Sequence, residues 1–310
     1  AVADLIDNSI TAQANRISVQ FEWNNGNPWI SISDNGYGMT EDELFEAMKP
    51  GSKNPLDERS ENDLGRFGLG LKTASLSQCK RLTVASKKDG GRICCRCWDL
   101  DVVTQKNAWL LLKVPTETAA TIIQKHLDKC PSGTIVIWEK IDRIIPGEHV
   151  GDEEYQRAFL NYAQSVKERI SVVFSSYMSG PHKVAFEMNG REISMWDPFM
   201  TDNPLTTRMP TEYLYVNGNE VKIKTFILPH QKKLSSNEFS LYAGAHGWNA
   251  QQGFYIFRNN RLIVEGSWLL NGFEKAEQYR LARIRIDIGN KTDHPGTKFS
   301  SQTESLNPKL

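Results

Sequence analysis

Ile30-Ser31-Ile32-Ser33-Asp34-Asn35-Gly36-Tyr37-Gly38-Met39-Thr40 is the stretch that decides the fold. Ile30 and Ile32 alternate with Ser31 and Ser33 at the period of a half-buried strand, and Asp34 stands where that strand ends. Gly36 and Gly38 then let the backbone turn sharply and let a flat ligand approach closely. A carboxylate in such a place can accept a hydrogen bond from an exocyclic amine, as on adenine. Thr40 and Glu43 carry the signature of a capping box opening a helix with Leu44, Phe45 and Met48. A plain strand-turn-helix corner has the same signature, so the stretch takes its meaning from its neighbours.

Upstream lies AVADLIDNSITAQA (1–14), where Val2, Leu5, Ile6 and Ile10 form one helical stripe. Asp4, Asn8 and Thr11 follow at i, i+4 and i+7, so their side chains share another face. A carboxylate one turn from an amide oxygen suits a pair that activates water and holds a hard cation. Downstream, Gly65, Gly68 and Gly70 precede Leu71-Lys72-Thr73-Ala74-Ser75, a stretch able to enter a helix. Backbone N–H groups of a glycine-rich turn leading into a helix make an anion site. The Walker A pattern fails here by one residue, because Leu71 intervenes before Lys72-Thr73. The dinucleotide fingerprint fails as well, because the gaps between glycines come in the wrong order.

The order DLIDNS, DNGYGM, GRFGLGLKTAS and then Ser132-Gly133-Thr134 resembles the GHKL ATPase superfamily of gyrase B, MutL, MORC ATPases, heat-shock chaperones and histidine kinases. The wording is most similar to the MORC-like and bacterial chaperone-like branch. QQGFYIFRNNRLIVEG (251–266) looks like a transducer-domain hairpin of that branch. The resemblance implies ATP and Mg2+ as ligands, with Asn8 as the magnesium ligand and Asp7 as a further contact. Asp34 would read the adenine amine, with Gly36, Gly38 and Met39 lining the base. Gly68, Leu69, Gly70, Leu71 and Lys72 would cover the phosphates, and Thr134 would assist Asp34 through water. Asp4 stands where the family carries a glutamate as general base, one methylene shorter, so hydrolysis is less secure than binding. A transducer lysine would reach the γ-phosphate; Lys298 is the candidate by position, with Lys291 and Lys309 competing.

Composition fits this class. Hydrophobic residues make up 39% and charged residues 24% of 310 residues, enough for two ordinary domains with soluble surfaces. Lys plus Arg and Asp plus Glu balance at 37 each, so no overall charge excess advertises nucleic acid. No apolar run approaches the roughly 18 residues of a membrane span, and a cytoplasmic location is expected. The chain opens inside its first motif, so a start before Ala1 is expected. Five cysteines, an odd number, read as reduced thiols. Cys94, Cys95 and Cys97 are crowded but lack a fourth ligand for zinc, and only Cys95 and Cys97 share a strand face.

A break at Pro146-Gly147 divides the chain into an ATP-binding domain, 1–146, and a transducer-like α+β domain, 147–310. The first is expected as a two-layer α/β sandwich of the Bergerat type. Its mixed, largely antiparallel sheet would carry helices on one face, with a hairpin at Asn25-Gly26 and strands near 81–86, 92–98, 108–114 and 134–141. Residues 43–64 read as a mobile lid. The second domain opens with a long amphipathic helix carrying Tyr155, Phe159, Ala163, Val166, Ile170 and Phe174. Hairpins are signalled at Asn189-Gly190, Asn217-Gly218 and Asn259-Asn260, then a helix over 274–281 and a strand over 282–288. Arg258, Arg261, Arg280, Arg283 and Arg285 read as solvated or ion-paired, with a nucleic-acid face as the alternative. The function expected is Mg2+-dependent ATP hydrolysis driving lid closure and an ATP-dependent homodimer, acting on a DNA or protein client. The alternatives are a non-hydrolysing nucleotide-gated module and, less well supported, a histidine kinase.

Overall fold

A computed structural model describes residues 1–49, 70–142, 152–244, 246–269 and 274–289. Within them the chain forms two compact units: 1–170 with 178–193, and 171–177 with 194–310. The first unit therefore runs well past the break at Pro146-Gly147. It keeps most of the long helix because aromatic side chains from that helix join its core, as described below.

The first unit holds α1 (Val2–Thr11), β1 (Arg16–Glu22), β2 (Trp29–Asp34), α2 (Glu41–Met48), β3 (Arg81–Lys87), β4 (Cys94–Asp99), α3 (Leu100–Lys106), α4 (Glu117–Leu127) and β5 (Gly133–Glu139). It ends with α5 (Asp152–Val173), as far as Ile170, then β6 (Ala185–Met188) and β7 (Arg191–Glu192). The seven strands form one sheet in the order β4-β3-β5-β2-β1-β6-β7. All neighbours are antiparallel except β1 and β6, so the sheet is mixed and largely antiparallel.

Alternation decides what each face carries. Val19, Ile32, Val136 and Val84 lie in register across four strands. On that face Phe21 meets Phe159 and Tyr162 of α5 at 5.6 and 5.9 Å between ring centroids. Trp23 packs on Tyr155 and Phe159. On the opposite face Ala85, Ile135 and Ile137 pack with Ala119, Ile123 and Leu127 of α4. The helices are thus not confined to one face, since α4 covers the back of β3 and β5. The segment 108–114 forms no strand; Leu112 alone makes an antiparallel bridge to Cys97 of the edge strand β4.

The second unit holds β8 (Thr207–Arg208), β9 (Glu212–Val216), β10 (Asn219–Ile227), α6 (Ser236–Ala243), β11 (Gly253–Arg258), β12 (Arg261–Ser267) and β13 (Ala282–Ile288). Its sheet runs β12-β11-β13-β10-β8, with β9 also on β10. The hairpins at 189–190, 217–218 and 259–260 all form, and each asparagine there has a positive φ. Residues 274–281 give only a short 3-10 turn, Glu277–Tyr279. Arg283 and Arg258 are buried, and Arg285 pairs with Asp287 at 2.7 Å, which removes three arginines from any basic face. No helix among the described residues is long and apolar enough to cross a membrane.

Candidate functional site

The strand β2 delivers Asp34 to the end of the first sheet, where the side chain is only 6% exposed. Its register partners are Ile17 on β1 and Thr134 on β5. One carboxylate oxygen accepts the Gly36 N–H at 2.9 Å and the Thr134 N–H at 3.3 Å. The other accepts the Ser9 hydroxyl at 2.8 Å, reaching across from α1. Burial pushes the Asp34 carboxyl above the ordinary carboxylate range, against the opposing pull of the Gly36, Ser9 and Thr134 donors and of nearby His126. His126, near the end of α4, also places its Nε2 3.1 Å from the Asp34 carbonyl.

The turn after Asp34 is fixed by close packing. A Cβ on Gly36 would lie 2.6 Å from the Ala12 carbonyl oxygen. Gly38 has φ +67, and a Cβ there would lie 2.0 Å from the Lys87 carbonyl oxygen. Gly38→Ala combines a left-handed backbone with a backbone collision, and is expected to destabilise the first unit by about 2–4 kcal/mol. Urea unfolding would check this; an unchanged midpoint would contradict it. Met39 N–H donates to Ser86 Oγ at 2.8 Å, and that hydroxyl lies 2.8 Å from Thr134 Oγ1 and 3.0 Å from the Gly133 carbonyl. Thr40 and Glu43 form the expected capping box of α2.

On α1, Val2, Leu5 and Ile6 are buried and Asn8 is exposed. The Asp4 side chain is 46% exposed, and Asp7 is buried. The Asn8 side chain is thus open to solvent on the face opposite the buried stripe. Among the described residues no three His, Cys, Asp or Glu side chains gather as a metal site. A single amide oxygen beside phosphates and water is the kind of donor set magnesium accepts, because it keeps several waters.

Gly70–Ala74 forms a π-helical turn, a geometry that recurs at functional sites. Lys72 within it is buried, and its ammonium donates to the Lys49 carbonyl at the end of α2. Burial lowers the Lys72 pKa. Leu71 is half-buried in the same turn. Gly65, Gly68, Leu69 and the three lysines Lys291, Lys298 and Lys309 lie outside the described residues, as does most of the expected lid. The structure thus brings Asp34, Gly36 and Thr134 into direct contact, with Gly38 and Met39 held on the adjoining Lys87 and Ser86.

Sequence reasoning missed Ser9 and Ser86. Ser9 carries one readable signal: it follows Asn8, on the buried side of an otherwise apolar helix stripe. Ser86 has none, being a single hydroxyl within a strand.

The same stretch of sequence is similar to known proteins. Residues 1–134 match the family model described as histidine kinase-, DNA gyrase B-, and HSP90-like ATPase. The DNA mismatch repair protein MutL of Thermotoga maritima is 38% identical over 90 residues, 28% of this chain and 17% of the relative. ATPase morc-1 of Caenorhabditis elegans is 30% identical over 90 residues, 29% of this chain and 10% of the relative. The chain thus matches less than a fifth of the length of these relatives. The solved ATPase domain of the mismatch repair endonuclease MutL from Aquifex aeolicus aligns over 93% of this chain and 87% of that one, at 15% identity and a TM-score of 0.43. The buried aspartate, its glycine turn and the family match converge on one assignment: residues 1–134 are a GHKL domain of the histidine kinase-, DNA gyrase B-, and HSP90-like ATPase family.

Proposed function

We propose that this chain binds ATP with magnesium and hydrolyses it, and that the bound nucleotide drives lid closure and dimerisation. The observation that carries the reading is the buried Asp34 carboxylate, oriented by Gly36, Thr134 and Ser9. A desolvated carboxylate with fixed geometry selects a donor, and the adenine exocyclic amine is one. Guanine would present a carbonyl oxygen there, acceptor against acceptor. Asn8 would hold magnesium together with the triphosphate, and the ion, when bound, supplies charge neutralisation at the phosphates. Asp4, one helical turn from Asn8, would take the proton of the attacking water. The glycine stretch ending at Gly70, with Leu71 and Lys72, would cover the phosphates, and Lys298 is the candidate cation for the γ-phosphate.

Isothermal titration of ATP and GTP with magnesium tests the base-reading step. ATP is expected to bind, and GTP about 100-fold or more weakly. Equal affinities would remove Asp34 from recognition. A second reading, a nucleotide switch without turnover, is favoured by the short side chain of Asp4. The relatives' names make DNA the first client to test, with a protein client as the alternative and the cytoplasm as the compartment.

A further inference from the structure

Asp34 is held by its main chain as well as by its carboxylate. The Asp34–Asn35 peptide opens the glycine turn, and both its ends are fixed. Its N–H, from Asn35, donates to the Arg16 carbonyl at 3.3 Å. Its carbonyl lies 3.1 Å from His126 Nε2, in the last turn of α4. A carbonyl oxygen only accepts, so Nε2 is the protonated nitrogen of that ring. Gly133 clears the space beside the carbonyl: a Cβ there would lie 2.2 Å from the Asp34 oxygen. His126 is itself firmly placed. Ala119, Ile123 and Leu127 bury one stripe of α4 against Ala85, Ile135 and Ile137. Lys87 of β3 donates to the Leu127 carbonyl at 3.2 Å and to the Cys130 carbonyl at 3.0 Å, which ties down the helix end. The imidazole, half-buried one residue before Leu127, thus reaches Asp34 from a fixed mount.

We propose that His126 is a positioning residue for nucleotide recognition, holding the Asp34–Asn35 peptide so that the carboxylate meets the base amine in line. The inference rests on the reading of Asp34 as the acceptor of that amine. A hydrogen bond weakens steeply once its angle falls below about 120°. Ser9, Gly36 and Thr134 fix the side-chain torsions of Asp34, while the peptide sets where those torsions start. Gly36 and Gly38 follow at once, and glycine leaves that stretch of main chain free to turn. Removing the imidazole donor releases the peptide at its carbonyl end and lets the turn drift beneath the carboxylate. The ring acts a second way in the same sense. Its charge, when protonated, favours the ionised Asp34, the form with two accepting oxygens and no donor.

ATP and ITP share sugar and triphosphate and differ at the exocyclic position, an amine against a carbonyl oxygen. Isothermal titration of both nucleotides with magnesium, on the whole chain and its variants, tests the assignment. His126→Ala should weaken ATP about 3–10-fold, the worth of one ordinary hydrogen bond, and leave ITP within about twofold. His126→Phe keeps a ring without a donor and should behave as the alanine variant does, so the test survives if either one fails to fold. His126→Gln returns an N–H donor near the position of Nε2 and should restore the preference for ATP to within about twofold of the parent. An equal loss for both nucleotides, no loss at all, or a glutamine variant no better than alanine overturns the proposal. Failure of the underlying reading has a different signature: the parent itself shows no preference for ATP over ITP, or Asp34→Asn keeps that preference unchanged. Circular dichroism confirms that each variant is folded.

Discussion

Phosphate release from bound ATP is expected to fall about 10²–10⁴-fold in Asp4→Ala, the usual contribution of a positioned general base. ATP affinity should stay within about threefold, because an interaction made only in the transition state lowers turnover without moving binding. Asp4 lies half-exposed on α1, one turn from Asn8, while Leu5 and Ile6 fix the helix by burial. Its replacement by alanine therefore removes the carboxylate and its ion pair with the Ala1 amino group, and leaves the buried stripe of α1 intact. Asp4→Glu lengthens the side chain by one methylene and should match or exceed the parent rate. Single-turnover hydrolysis of labelled ATP reads all three proteins. Release at the same rate from parent and Asp4→Ala would take the proton-accepting role away from Asp4. Tight binding with no release from any of them would replace the hydrolase reading with the switch.

Asp34→Asn is the second large effect, and it moves binding and stability in opposite directions. The asparagine carbonyl can still accept from Gly36 and Thr134, but its amide NH2 then occupies the side now facing Ser9. A donor there meets the adenine amine, another donor. Losing a charge-assisted bond and leaving the pair mismatched costs about 2–4 kcal/mol, a loss in ATP affinity on the order of 100-fold. Stability follows the other sign. The folded-state pKa of Asp34 is raised, so the folded chain holds its proton more tightly than the unfolded one does. The buried carboxylate thus costs stability at pH values above the raised pKa. That cost fades as the pH falls through it toward the ordinary value of 3.8. Asp34→Asn should melt at or above the parent temperature near pH 7, and the difference should shrink toward about pH 4. A variant that melts lower near pH 7 would mean that the three donors outweigh burial.

Much of the site is legible in local sequence. The period-2 pattern of residues 30–33 places Asp34 at a strand end, and the Thr40–Glu43 box starts α2 where expected. Asparagine at hairpin positions marks the turns because it tolerates positive φ. What is not local is harder to read. The helix α4 has its own signal, the Thr116 cap followed by Ala119, Ile123 and Leu127, but a motif search passes over it. Alternation puts Arg283 and Arg285 on one face, yet only long-range packing makes that face the covered one, against Tyr255 and Phe257. Residues 108–114 have strand composition without a strand's partners, and composition cannot count partners. Lys72 matches a phosphate motif, whereas its bond to Lys49 depends on where α2 ends.

The pairing of Asp34 with Thr134 joins positions a hundred residues apart. Ser86 rivets Met39 to the same place from a third region of the chain. Contacts of such sequence separation form slowly, because the loop they close must be ordered before they return any energy. The polar cluster around Asp34 therefore waits on a contact a hundred residues distant in sequence. A nascent chain that has not yet delivered Thr134 lacks that cluster, whatever its earlier motifs contain. A ligand held by that cluster would then stabilise only finished domains, by mass action on the native state, and could not template unfinished ones.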